Sequence, residues 1–234
     1  MYPYPSQAAN RILETRDGLR YVQIGADFID EFTRFVYRIF TERISRRQDW
    51  QPSDAELQAM IAEERILFES GIFVAALLPD DRLVAAMRVA RGQPGLPLPT
   101  ERIFALDRNA LARMWDVPPR AIWHASQMCV DTPQLVAAGY GWRQGIQIMR
   151  GIVKHLFRAG SHLESSYGIM ESDEQINAYL KKFLNIETWP LSSTRDYIGQ
   201  TFATAIDLEQ IRQLDYVRAG NEIVSTKTFS SSRA

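Results

Sequence analysis

The residues with chemical possibilities gather in one stretch of this 234-residue chain, Ala121 to Arg158. It holds His124, the single cysteine Cys129, and a glycine pair, Gly139 and Gly141, just ahead of a helical pattern. A glycine turn at a helix start leaves backbone N–H groups unpaired at the positive end of the helix dipole. That is an anion site, most often used for phosphate. Glycines that only let the chain reverse tightly are the other reading. One cysteine excludes an internal disulfide and any cysteine-based metal cluster, and a cytoplasmic location is expected. The three histidines, His124, His155 and His162, show neither HxH nor HExxH spacing, so no metal site is expected.

The elements that must position these residues follow from periodicity. IWHASQMCV reads as a strand, with Ile122, His124, Ser126, Met128 and Val130 on one face and Trp123, Ala125, Gln127 and Cys129 on the other. Both faces are largely apolar, as in a central strand covered on both sides. Trp142, Ile146, Met149, Val153 and Leu156 recur at helical period and predict one buried stripe, with Trp123 also in the core. Upstream, LRYVQIG reads as a first strand, and Asp27 to Ser45 as a helix with Phe28, Phe32, Phe35 and Ile39 inward. The outer side of that helix carries Arg34, Arg38 and Arg43, followed by Arg46 and Arg47. It is a solvated face or an electropositive docking surface. Ser53 and Glu56 form a capping box for the next helix, and FVAALLPDDRLVAAMRVAR is a hairpin about Pro79-Asp80-Asp81. Asn109 to Trp115 is a short helix, Leu163 to Met170 a strand, and Asp173 to Leu184 a helix capped by Ser172. Strands at Glu187 to Leu191 and Gly199 to Ile206, a terminal helix and a fraying serine-rich tail complete the chain.

Bulk properties narrow the function. A net charge of −1 gives no field for nucleic acid or a membrane surface. No apolar run is long enough to span a bilayer, and MYPYPSQAAN lacks the basic start and apolar run of a signal peptide.

The order strand, two helices, hairpin, central strand, glycine turn with helix, strand, helix, strands resembles the GNAT acyltransferase superfamily over roughly residues 20 to 206. Residues 1–19 are then an N-terminal extension, 20–215 the acyltransferase domain and 216–234 a tail. The hairpin, the stretch MCVDTPQLVAAGYGWRQGIQIMRGIV and the segment NAYLKKFLNIETW carry the likeness. The closer resemblance is to acyl-homoserine lactone (autoinducer) synthases and N-acyl amino acid synthases, through VYRIFTERI, AAMRVARGQPGLPLPTERIF and IWHASQMCVD. The chain departs from that pattern. His124 stands where those synthases have a glutamate, Gln127 where they have an arginine, and Val136 where the phosphate turn usually has Gln or Arg, with Gln134 two residues earlier. The acidic cluster that shapes their S-adenosylmethionine site is not evident. The departures bear on the lactone-forming reaction more than on the acyl-transfer scaffold.

The resemblance implies an α+β fold, a three-layer α/β sandwich in which a mixed central sheet carries helices on both faces and the family's fourth and fifth strands splay apart. It implies direct attack of an amine on an acyl thioester. The donor, acyl-CoA or acyl-phosphopantetheine on an acyl-carrier protein, would pair with Met128, Cys129 and Val130 as an added strand. Its phosphate would sit on Gly139, Tyr140, Gly141, Trp142 and Arg143. A strand N–H near Cys129 would hold the oxyanion. His124 is a base for the amine or a bonded core histidine; Tyr179 is the proton donor to the thiolate or a packing tyrosine. Arg88 and Ser126 would face the substrate, Arg88 binding a carboxylate or phosphate bidentately or being a surface strand arginine. Cys129 reads as a buried, inert thiol. A small amine such as an amino acid is the expected acceptor. An acetyl-CoA-dependent N-acetyltransferase and an inactive acyl-binding scaffold are the alternatives.

Overall fold

The hairpin Pro79-Asp80-Asp81 joins two strands that are buried along nearly their whole length, β3 (Gly71–Leu77) and β4 (Leu83–Arg91). Such continuous apolar runs have no solvent face, so they must lie at the centre of a covered sheet. The computed structural model of the chain describes residues 8–44, 52–93, 95–161, 164, 166–196 and 200–218. Arg46, Arg47, His162 and the serine-rich tail lie outside them.

The remaining strands are β1 (Arg11–Arg16), β2 (Leu19–Gln23), β5 (Ile122–Val130), β6 (Tyr167–Ser172), β7 (Thr188–Pro190), β8 (Arg195–Asp196) and β9 (Gln200–Asp207). Among the described residues they pair in the order β1-β2-β3-β4-β5-β6-β9-β7, with β8 on β9. The pairs are antiparallel except β5 with β6. β1 extends the sheet into the segment read as an N-terminal extension.

Helices cover both faces. On one lie α1 (Ile29–Ile44), α2 (Asp54–Phe68), α3 (Pro99–Phe104) and α4 (Arg108–Met114). Phe32, Phe35 and Val36 of α1 pack here with Phe73, whose ring meets Phe32 edge-on at 5.3 Å. The expected capping box starts α2: Ser53 Oγ accepts from Glu56 N–H at 3.2 Å, and Glu56 Oε2 accepts from Ser53 N–H at 3.1 Å. On the other face lies α6 (Gln144–Ala159), which buries Ile148, Met149, Ile152, Val153 and Leu156 against β2, β3 and β4. α5 (Thr132–Ala137) fills the segment between β5 and the glycine turn, and α7 (Glu174–Tyr179) follows β6. α8 (Leu208–Arg212) and α9 (Asp215–Arg218) end the described chain. No described helix is long and apolar enough to cross a membrane.

Three expectations are corrected. Trp142 is 62% exposed, because α6 begins two residues later; Trp123 is buried. The cap of α7 is Asp173, whose carboxylate accepts from Ile176 N–H at 2.6 Å, while Ser172 ends β6 and bonds Thr204. The faces of β5 do not simply alternate. Between the pairs Arg88↔Ser126 and Ala86↔Cys129, one residue of β4 opposes two of β5. Gln127 takes up the extra residue at φ 62°, in the left-handed region that a side chain rarely enters. Beyond this bulge Met128 and Val130 join Trp123 and Ala125 on the α6 side, and Cys129 joins Ile122 on the α1–α2 side.

Candidate active site

A β-bulge bends its strand and increases its twist. β5 pairs with β6 only over Ile122↔Tyr167, Trp123↔Gly168 and His124↔Ile169. Past that point β5 follows β4 as far as Val130, and β6 follows β9 as far as Ser172. The two strands therefore diverge into a V. Asp131 N–H donates to Val84 C=O at 2.8 Å. Alternate residues of an antiparallel strand present both backbone groups to the same neighbour. Cys129 therefore faces β4, while Met128 and Val130 turn their N–H and C=O into the V. Among the described residues, β6 pairs with none of Met128, Cys129 and Val130. Cys129 is buried, and burial pushes its thiol pKa far up, as expected of an inert thiol.

The glycine turn divides between two tasks. Gly139, at φ 86°, and Tyr140 close α5: their N–H groups donate to Val136 and Leu135 C=O, both at 3.0 Å. Gln144, Gly145 and Ile146 donate within the first turn of α6. The N–H groups of Gly141, Trp142 and Arg143 meet no acceptor among the described residues. A Cβ built on Gly139 or Gly141 would touch nothing within 4 Å, so the approach is open. Arg143 adds a cation, lying over the Trp142 ring at 5.2 Å. Tyr140 anchors the loop through its hydroxyl, which donates to Asp17 C=O at 3.1 Å.

On the α1–α3 side of the sheet, a chain of buried polar groups runs from α2 to the crotch of the V. Glu64 and Arg88, each 1% exposed in the side chain, form a bidentate pair at 2.6 and 3.0 Å. Arg88 Nη1 reaches His124 Nδ1 at 3.0 Å, and His124 Nε2 lies 3.0 and 3.1 Å from the Glu171 carboxylate. Thr100 Oγ1 donates to Glu171 at 2.6 Å, and Gln127 Nε2 donates to Glu64 at 2.8 Å. A guanidinium only donates, so Nδ1 of His124 is the unprotonated nitrogen and Nε2–H donates to Glu171. The ring has no lone pair left for an incoming amine, and the expected base role loses its support. Arg88 is neither a surface arginine nor open to a ligand. Ser126, opposite Arg88 on β5, is half-buried. Burial opposes ionisation of Glu171, while the hydrogen bonds it accepts from the His124 ring and the Thr100 hydroxyl favour it.

Tyr179, at the end of α7, packs on the α6 side with its ring 5.3 Å from Phe183. Its hydroxyl has no partner among the described residues. Burial, partly offset by Arg150, raises its pKa to about 12, so the phenol keeps its proton at neutral pH. The basic face of α1 is mostly committed. Arg38 donates to the buried Asp131 at 2.8 Å, and Arg43 to Asp173 at 3.1 Å. Those aspartates follow the last residues of β5 and β6, so α1 bridges the two arms of the V.

Glu64, Thr100 and Glu171 escaped the sequence reading. Glu64 left a signal, since it falls in register with Ile61 and Leu67 on the buried stripe of α2.

A bulged strand, a V opening between parallel neighbours, and free amides at the following helix start make a recognisable scaffold. The chain has the GNAT fold. No family model and no curated protein matches the sequence. Solved structures do match. The N-acyl amino acid synthase FeeM, from uncultured soil microbes, superposes with a TM-score of 0.57 at 12% identity, over 83% of this chain and 92% of that one. A GNAT-family acetyltransferase from Staphylococcus aureus Mu50 gives 0.52 at 10% identity, over 81% and 99%. At such identities the likeness fixes the architecture alone.

Proposed function

We propose that this protein is an N-acyltransferase that moves an acyl group from an acyl thioester to a small amine such as an amino acid. The observation that carries the reading is the open edge of β5, with Met128 and Val130 presenting backbone groups beside the free amides of Gly141 to Arg143. An extended pantetheine arm, with amide groups along it and a phosphate at its end, matches that pairing of edge and anion seat. The donor is acyl-CoA or an acyl-carrier protein. Neither a metal nor a redox group has a part in the scheme. A buried, protonated thiol suits the cytoplasm.

The amine nitrogen attacks the thioester carbonyl, forming the C–N bond. The oxyanion that develops takes a hydrogen bond from an N–H of the β5 edge. The C–S bond then breaks, the thiolate takes a proton from Tyr179, the nitrogen sheds its extra proton to solvent, and solvent reprotonates Tyr179. The likeness to FeeM, an N-acyl amino acid synthase, supports an amino acid acceptor; the likeness to the staphylococcal acetyltransferase supports transfer of an acetyl group.

Mass spectrometry of the purified chain incubated with acetyl-CoA, long-chain acyl-CoA or acyl-carrier protein, and pooled amino acids, separates these donors. An N-acyl amino acid formed with a long-chain donor is the expected product. An acetylated product alone assigns the short-chain reaction. Thermal stabilisation by donors without any product identifies a scaffold that binds acyl groups without turnover.

A further inference from the structure

The buried polar chain does not balance its charge. Glu64 and Arg88 cancel, and the Nδ1 of His124 is taken up by Arg88. Glu171 remains. Its donors are the Thr100 hydroxyl and the His124 ring, and no lysine or arginine among the described residues lies within ion-pair distance. A buried carboxylate is ordinarily matched by a cation. This one also keeps a way out: its side chain is 15% exposed, against 1% for Glu64. It stands on β6 two residues past the last β5–β6 pair, at the inner angle of the V.

A second polar group on the same face of the sheet is incomplete. Gln127 is 8% exposed, and its Nε2 is held by Glu64. That bond fixes the orientation of the amide, leaving Oε1 buried with no partner among the described residues. Gln127 is the residue held at positive φ by the bulge, so the backbone conformation that opens the V also carries this acceptor. One arm of the V thus offers an unmatched carboxylate and the other an unmatched carbonyl. Both only accept hydrogen bonds, and together they favour a ligand with several N–H donors and a positive charge.

We infer that the inner angle of the V is a subsite for a primary ammonium group, with Glu171 as its anionic ligand and the Gln127 carbonyl as its second acceptor. His124 and Arg88 are positioning residues: Arg88 sets the tautomer of His124, and His124 aims the carboxylate. The inference deepens the acyl-transfer reading, since the occupant would be the acceptor amine before it loses its proton. It also places acceptor and donor phosphate on opposite sides of the sheet, Glu171 facing the α1–α3 side and Gly141 to Arg143 opening α6.

The test needs no acyl donor. The isotope-labelled full-length chain is titrated with benzylammonium chloride at pH 7 and followed by NMR, with neutral benzyl alcohol as control. The Gln127 side-chain NH2 and His124 Nε2–H signals are expected to shift saturably with benzylammonium and to stay in place with benzyl alcohol. Glu171→Gln should weaken that binding at least tenfold; Glu171→Asp, which retracts the charge by one methylene, replaces it if the first variant does not fold. A water molecule satisfying both acceptors predicts no shift at either signal, which overturns the subsite, as does unchanged affinity in the variant. Because no thioester is present, a chain that binds benzylammonium but transfers no acyl group refutes the reaction and keeps the subsite. An active enzyme whose acceptor KM is unchanged by E171Q refutes the subsite and keeps the reaction.

Discussion

Replacing Arg88 by Met is expected to lower the unfolding free energy by about 3–5 kcal/mol, measured by urea denaturation. The guanidinium is almost wholly withdrawn from solvent, and its donors go to Glu64 and His124. Its removal leaves the Glu64 carboxylate buried with only the Gln127 amide, and His124 Nδ1 without a donor. Breaking one side of a buried ion pair typically costs this much, because the surviving charge is neither hydrated nor matched. Domains are stable by only about 5–15 kcal/mol, so the loss is a large share of the total. Removing both charges, as in Arg88→Met with Glu64→Leu, is expected to recover most of it, since well-packed apolar replacements of a buried pair are often neutral. A loss below about 1 kcal/mol in the single variant would show that water reaches Glu64 and that the polar chain is not sealed.

Tyr179→Phe is expected to lower kcat by about 100-fold or more, the scale of a single well-placed proton donor. Stability should hardly change, because the hydroxyl has no partner to lose among the described residues. Donor KM should also hold, since the donor's phosphate and arm are seated on Gly141 to Arg143 and on β5. With a phenol pKa near 12, ionisation of Tyr179 imposes no fall in rate between pH 6 and 9. Steady-state kinetics on the long-chain donor checks all three. A change in kcat under threefold makes Tyr179 a packing residue and hands the thiolate's proton to water.

The scaffold was readable from the sequence where one physical signal dominated. The hairpin of β3 and β4 is apolar throughout with a Pro-Asp-Asp turn, Ser53 and Glu56 stand at capping-box spacing, and α6 keeps its stripe from Met149 to Leu156. The splayed strands came from the family resemblance. What stayed hidden depended on exceptions to local rules or on distant partners. Nothing in the identity of Gln127 announces a positive φ, yet that one residue swaps the faces of Met128, Cys129 and Val130. Trp142 kept the helical spacing but fell outside the helix, because α5 and its Schellman closure at Gly139 and Tyr140 take up the turn. Arg88 and His124 stood out as polar residues in apolar strands, but their partners, Glu64 and Glu171, lie 24 and 47 residues away in sequence. Glu64 alone could have been flagged, as a carboxylate in register with the core side of α2.

A pantetheine-bearing donor is expected to enter the V along β5 with its phosphate on the following turn. The direct measurement is backbone amide NMR of the full chain with a non-hydrolysable long-chain acyl-CoA thioether. Saturable shifts and slowed hydrogen exchange are expected at Met128, Val130, Gly141, Trp142 and Arg143, with Cys129, bonded towards β4, much less affected. Saturable binding that leaves all five amides unchanged would contradict that placement.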